Sequence, residues 1–160
     1  MKPCKQLFAG WKFGVLLLLV ASAGLWACQE EEAEDIPTVP SILQLEVTPL
    51  QITAYQDSLS FRLQYKDPNG DLGTANPDEF NLFIRDNRLD VVHEFRIPQL
   101  APDNANPAIT GWVNAHLQSV ILADESSAEE TTTFTLWVVD ALGNRSNEVE
   151  SPQVTIMAAP

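Results

Sequence analysis

Cysteine is nearly absent. The 160 residues hold two, Cys4 and Cys28, both ahead of the bulk of the chain. Everything after residue 28 must fold without an intradomain disulfide, so a metal or a large apolar core has to hold it together. Basic residues are scarce as well: 9 Lys and Arg against 22 Asp and Glu give a net charge of −13. No Lys/Arg cluster is present to grip a phosphate backbone, which disfavours nucleic acid as a partner and favours cations. The two histidines, His93 and His116, stand on separate predicted strands with no second His or Cys at ligand spacing, so no zinc site is expected. There is no G-x-S-x-G turn, no phosphate-cradling glycine loop and no cysteine nucleophile beyond residue 28. Carboxylates are plentiful, but glycoside hydrolysis needs two of them about 5–10 Å apart across a cleft, which a domain this small rarely holds. The chain is expected not to be an enzyme.

What is present begins at the N-terminus. Lys2, Lys5 and Lys12 form a basic start without acids, and an uncharged apolar stretch from Phe13 to Ala27 follows. That stretch matches a secretory signal core and falls short of the roughly 20 residues a membrane span needs. Leu25-Trp26-Ala27-Cys28 then resembles the bacterial lipobox, with Leu at −3 and a small residue at −1 before the obligatory Cys; Trp26 is a bulky departure at the tolerant −2 position. The resemblance implies cleavage before Cys28, a diacylglyceryl group on its thiol and acylation of the new amine. Lipid burial contributes about 0.8 kcal/mol per CH₂, so two or three chains anchor the protein to a membrane without any span.

The segment after Cys28 runs Gln29-Glu-Glu-Glu-Ala-Glu-Asp35 and then Ile36-Pro-Thr-Val-Pro40. It cannot bury apolar area and reads as an extended tether. An acidic run just behind the lipidated Cys resembles the surface-export signal of Bacteroidetes lipoproteins, which implies an outer-membrane anchor with surface display; a solvated linker on a periplasm-facing lipoprotein is the alternative. The expected organisation is signal 1–27, lipidated Cys and tether 28–40, and one folded domain 41–160.

That domain has no sustained 3.6-residue period and no repeat of 20–50 residues. Seven β-rich runs alternate with turn clusters, at 42–47, 59–66, 80–85, 91–97, 109–120, 132–140 and 149–157. Leu59-Ser-Phe-Arg-Leu-Gln-Tyr65 alternates strictly, as a strand with one buried face does. Run 132–140 is apolar nearly throughout, reads as a strand covered on both sides, and puts Trp137 in the core. The stretches 76–79 and 124–130 read as polar connections. Seven short strands in this length predict an all-β, seven-stranded immunoglobulin-like sandwich.

Strand parity gathers the most distinctive loops at one end. After the second run comes Asp67-Pro-Asn-Gly-Asp-Leu-Gly73, with oxygens at Asp67, Asn69 and Asp71. Ca²⁺ takes 6–8 oxygens at about 2.3–2.6 Å, and such a turn can aim three at one point. Leu72 and Asp78 occupy the positions where the helix-loop-helix calcium loop has its Gly and Glu, so that particular site is rejected. After the sixth run comes Asp140-Ala-Leu-Gly-Asn-Arg-Ser-Asn147, and Asp140 ends its run as Asp67 does; Asp103, Asn104 and Asn106 join from the connection after the fourth. The first loop resembles the D-x-D/N-G-D-L-G segment of Bacteroidetes lipoproteins with immunoglobulin-like or cadherin-like domains. The second resembles the D-x-x-G-N-x-S-N ending of bacterial immunoglobulin-like modules. One Ca²⁺ site built from Asp67, Asn69, Asp71 and Asp140 is expected; ordinary turn chemistry of Asp, Asn, Pro and Gly is the competing explanation. Asp86 ends a strand at the other end and reads as a hairpin turn.

Sugar binding is a second class. Val113, Ala115 and Leu117 take one parity of their run, leaving Trp112, Asn114 and His116 on the other as a solvent-facing carbohydrate platform. The function expected is therefore a lipid-anchored binding or structural module for adhesion or assembly, meeting a surface protein or glycan, with a carbohydrate-binding accessory lipoprotein of a glycan-uptake system as the alternative. Removing residues 1–27 leaves 6 bases against 22 acids and a charge of −16; without the five tether acids the domain carries −11. Replacing Cys28 by Ala is expected to abolish palmitate labelling and leave residues 1–27 attached, read by autoradiography and intact mass.

Overall fold

The computed structural model describes residues 38–102, 105 and 107–160. The expected signal, Cys28, nearly all of the tether, and Asp103, Asn104 and Asn106 lie outside the described residues. Ten strands follow in chain order: β1 (Ser41–Thr48), β2 (Gln51–Thr53), β3 (Leu59–Asp67), β4 (Leu82–Asp86), β5 (Val91–Phe95), β6 (Ile109–Leu117), β7 (Glu129–Thr132), β8 (Phe134–Val138), β9 (Val149–Glu150) and β10 (Val154–Met157). The described residues contain no helix, and so none long and apolar enough to cross a membrane.

One layer is the antiparallel sheet β1-β3-β6. The other comprises β5-β4-β8-β9 and β2-β10-β7. These two sheets share a single hairpin, because β7 runs into β8 through Thr133 and β9 into β10 through 151–153. Thr132 pairs with Val154 on one side of the break and Thr135 with Glu150 on the other. At the break itself, Ser151 takes over: its N–H donates to Phe134 O at 2.8 Å and its Oγ accepts from Phe134 N at 2.9 Å. Pro152, lacking an N–H, cannot continue the ladder. The result is an immunoglobulin-like β-sandwich, with ten strands rather than seven.

The differences have local causes. Pro49 ends β1, and the chain crosses to pair β2 in parallel with β10. Residues 129–130 fall in β7 rather than in a polar connection, since Glu129, Glu130 and Thr131 carry no apolar alternation to reveal a strand. Trp137 lies outside the core: it is half-buried on the outer face, stacked on Phe83 with ring centroids 5.5 Å apart and covered by the Arg145 guanidinium at 4.1 Å. Its strand neighbours Leu136 and Val138 point inward and are fully buried.

The core forms where inward side chains of the two layers meet. Leu59, Phe61, Leu63 and Tyr65 of β3 face Leu82 and Ile84 of β4 and Phe134, Leu136 and Val138 of β8. Phe61 meets Phe134 edge-to-face at 5.1 Å, a geometry worth about 0.5–1.5 kcal/mol beyond area burial. Asn147 pins the edge of β1, its Oδ1 accepting from Ile42 N at 2.8 Å and its Nδ2 donating to Ile42 O at 3.1 Å.

Asn81, just before β4, is the polar hub. Its Nδ2 donates to Leu72 O at 2.6 Å and its Oδ1 accepts from Ile97 N at 2.6 Å, tying the chain after β3 to the chain after β5. It is 6% exposed. Replacing Asn81 by Ala should cost roughly 1–3 kcal/mol for each buried partner left unpaired, measured by urea unfolding; a loss below that range would show that water replaces the amide.

Candidate functional site

Alternation carries Asp67 inward at the end of β3, leaving a carboxylate that is 1% exposed. It is satisfied by its own loop: Oδ1 accepts from Gly70 N at 3.0 Å and Oδ2 from Leu72 N at 2.8 Å. The turn needs glycine at residue 70, where φ is +70° and a Cβ would come within 2.5 Å of Pro107 O. Asp140, two residues past Val138 and also inward, is wrapped likewise. Its Oδ1 accepts from Leu142 N at 3.0 Å and Asn144 N at 2.8 Å, and its Oδ2 from Asn144 Nδ2 at 2.9 Å.

The two loops meet, with Ala141 N donating to Asp71 O at 3.1 Å. The Asp67 and Asp140 carboxylates lie close enough to Asp71 to act on its charge. Burial, then the Asp140 and Asp67 carboxylates, raise the Asp71 pKa above its ordinary value, with the Asn69 amide partly offsetting them. Two side-chain oxygens here are buried with no hydrogen-bond partner: Asn69 Oδ1 and Asp71 Oδ1. Among the described residues no Lys or Arg forms an ion pair with Asp67, Asp71 or Asp140. A cavity of about 490 Å³ opens beside them, lined by Asp71, Asp140, Asn81, Thr74, Glu79 and Phe80.

The opposite end handles its buried carboxylate differently. Asp86, inward at the end of β4, accepts from Thr132 Oγ1 at 2.8 Å and from Arg88 N at 3.0 Å, and pairs with Arg88 Nη2 at 3.1 Å. Arg88 also pairs with Glu130 and donates to Ile121 O at 2.9 Å. Asp86 is thus a turn residue with a cation built in.

Trp112, Asn114 and His116 share the outer face of β6, and Trp112 is 39% exposed. Arg62 lies over the Trp112 ring at 4.0 Å, and His116 Nδ1 bonds Ser60 Oγ at 2.9 Å. They form a flat row engaged with β3 rather than a cleft. His93, on β5, stands apart from His116 on β6. Sequence reasoning missed Asn81 and Asn144, whose roles depend on backbone atoms distant in sequence or in a turn's closure; the one available signal was a polar residue at the margin of an apolar run.

No protein-family model matches the sequence, and no curated protein matches it. Among solved structures, the chain is similar to a Niemann-Pick type C2 protein from the Japanese carpenter ant, at 7% identity and a TM-score of 0.43, over 76% of this chain and 93% of that one. A likeness that distant does not bear on function.

Asp71 makes one pH prediction. A carboxyl whose pKa rises on folding stabilises the fold below its unfolded pKa, and that contribution is lost as pH climbs through the folded value. In calcium-free buffer, the melting temperature of the wild type relative to Asp71→Asn should therefore fall across the window just above the ordinary aspartate range. The difference curve isolates Asp71 from Glu79, Asp124 and Glu130, whose lowered pKa values act in the reverse sense.

Proposed function

We propose that the chain is a lipid-anchored outer-membrane protein, displayed at the cell surface through Cys28. Its β-sandwich acts as a binding or structural module for adhesion or assembly rather than as an enzyme, stabilised by one Ca²⁺ at Asp67, Asn69, Asp71 and Asp140. One observation carries the calcium reading: among the described residues, Asn69 Oδ1 and Asp71 Oδ1 are buried acceptors without donors, set among carboxylates that form no ion pair with Lys or Arg. A buried unsatisfied acceptor costs about 1–3 kcal/mol, and native proteins rarely leave one without an ion or a water. A cation supplies both the missing partner and the missing charge.

The donor set is all oxygen, which suits a hard cation. Among the described residues no three His, Cys, Asp or Glu side chains converge as a metal cage. The cation would therefore take the Asn69 amide oxygen and water alongside the carboxylates, in the irregular, high-coordination arrangement that Ca²⁺ accepts and that the strict octahedral demand of the smaller Mg²⁺ disfavours. A carbohydrate platform on Trp112, Asn114 and His116 is the weaker reading, because Arg62 already covers the Trp112 ring and Ser60 engages His116.

Calcium at a hundred times its dissociation constant would add about 2.7 kcal/mol of stability. Titrating millimolar calcium into metal-stripped protein should raise the melting temperature, and magnesium should do so far less. Asp71→Asn should melt higher than the wild type without metal yet lose the calcium response. No shift in the wild type at millimolar calcium would overturn the reading.

A further inference from the structure

The sheet β1-β3-β6 has two edges, and they are treated differently. The β1 edge is blunted by a bulge between Ile42 and Gln44 and by the Asn147 side chain on the Ile42 backbone. The β6 edge has neither device. Over nine residues, Ile109–Leu117, it carries no proline and no bulge in its register with β3. Among the described residues none of its backbone groups bonds outside that ladder. A long, regular edge of this kind is a template for another strand, and proteins ordinarily guard such edges.

Charge selects the visitor. The domain carries −11, yet β6 holds no Asp, Glu, Lys or Arg, and the residues beside it on the outer face include Arg62 and Lys66 of β3. Two copies of an acidic protein repel wherever acids meet; along β6 they do not. The strand is also self-complementary. Antiparallel pairing about a two-fold axis at Val113 sets Val113 against itself, Gly111 against Ala115 and Ile109 against Leu117 on the inward side. On the outer side Thr110 faces His116 and Trp112 faces Asn114, so every inward pair is apolar and no like charges oppose. Ile109 and Val113 are only partly buried at this edge, so pairing would finish their burial.

We propose that β6 is a homodimerisation edge, joining two copies through an isologous strand pair centred on Val113 into one continuous six-stranded sheet. The proposal does not rest on the calcium reading: β6 itself contributes none of Asp67, Asn69, Asp71 or Asp140, although Asp67, at the end of β3, stands opposite Ile109 in the ladder.

The test is native mass spectrometry and sedimentation of the full-length chain's mature product in mild detergent, over a wide concentration range. The wild type should show a dimer that grows with concentration and does not assemble further. Thr110→Glu with His116→Glu sets acids opposite one another on both sides of the axis and should give a folded monomer that still unfolds cooperatively. Its melting temperature at low concentration should equal that of His116→Ala, which loses the same Ser60 bond. Thr110→Glu with His116→Lys sets opposite charges in the same places and should restore the dimer. A wild type that stays monomeric, an assembly larger than two, or a dimer indifferent to the paired Glu substitutions overturns the proposal.

Discussion

Alternation along the inward face of each central strand is the constraint from which both core and loops follow. In β3 the inward positions are Leu59, Phe61, Leu63, Tyr65 and Asp67; in β8 and just beyond they are Phe134, Leu136, Val138 and Asp140; in β4 they are Leu82, Ile84 and Asp86. The register that buries the apolar side chains also buries an aspartate at each strand's end. A buried carboxylate must find donors. Asp67 and Asp140 find them in backbone N–H groups a few residues on, and the search curls the following chain into a tight loop. Loop shape is therefore a consequence of core register.

The two ends of the sandwich solve the resulting charge problem in opposite ways. At one end Asp86 has Arg88, which also reaches Glu130 and a backbone carbonyl. At the other end, among the described residues, no Lys or Arg forms an ion pair with Asp67, Asp71 or Asp140. The calcium site proposed above rests on that difference between the two ends. The raised pKa of Asp71 follows from the same imbalance, burial first and then its two carboxylate neighbours.

Much of this was legible in the sequence, because period-two alternation is a backbone property and parity follows from counting strands. The inward face of β3, the shared end of the Asp67 and Asp140 loops, and the outward row Trp112, Asn114 and His116 could all be read directly. What could not be read depended on contacts distant in sequence. Trp137 looked like core because its run is apolar, but only the pairing of β8 with β4 brings Phe83 beside it and only the turn at 143–145 brings Arg145 over it. β7 escaped because Glu130 and its neighbours are polar, and pairing with β10 rather than pattern makes them a strand. Asn81 escaped because nothing local distinguishes an asparagine that bridges two loops from one in a turn.

The acid excess of the chain acquires a geography from these contacts. Three of the domain's six bases are held in ion pairs: Arg62 with Glu46, over the Trp112 ring, Arg145 with Glu148, over the Trp137 ring, and Arg88 with Asp86 and Glu130. Two of the three serve at once as ion-pair partner and as cover for an aromatic ring on an outer face. By contrast, β6 holds no charged side chain along its whole length. The proposed cation site and the proposed dimer edge thus draw on different side chains, carboxylates in the loops and uncharged residues along β6.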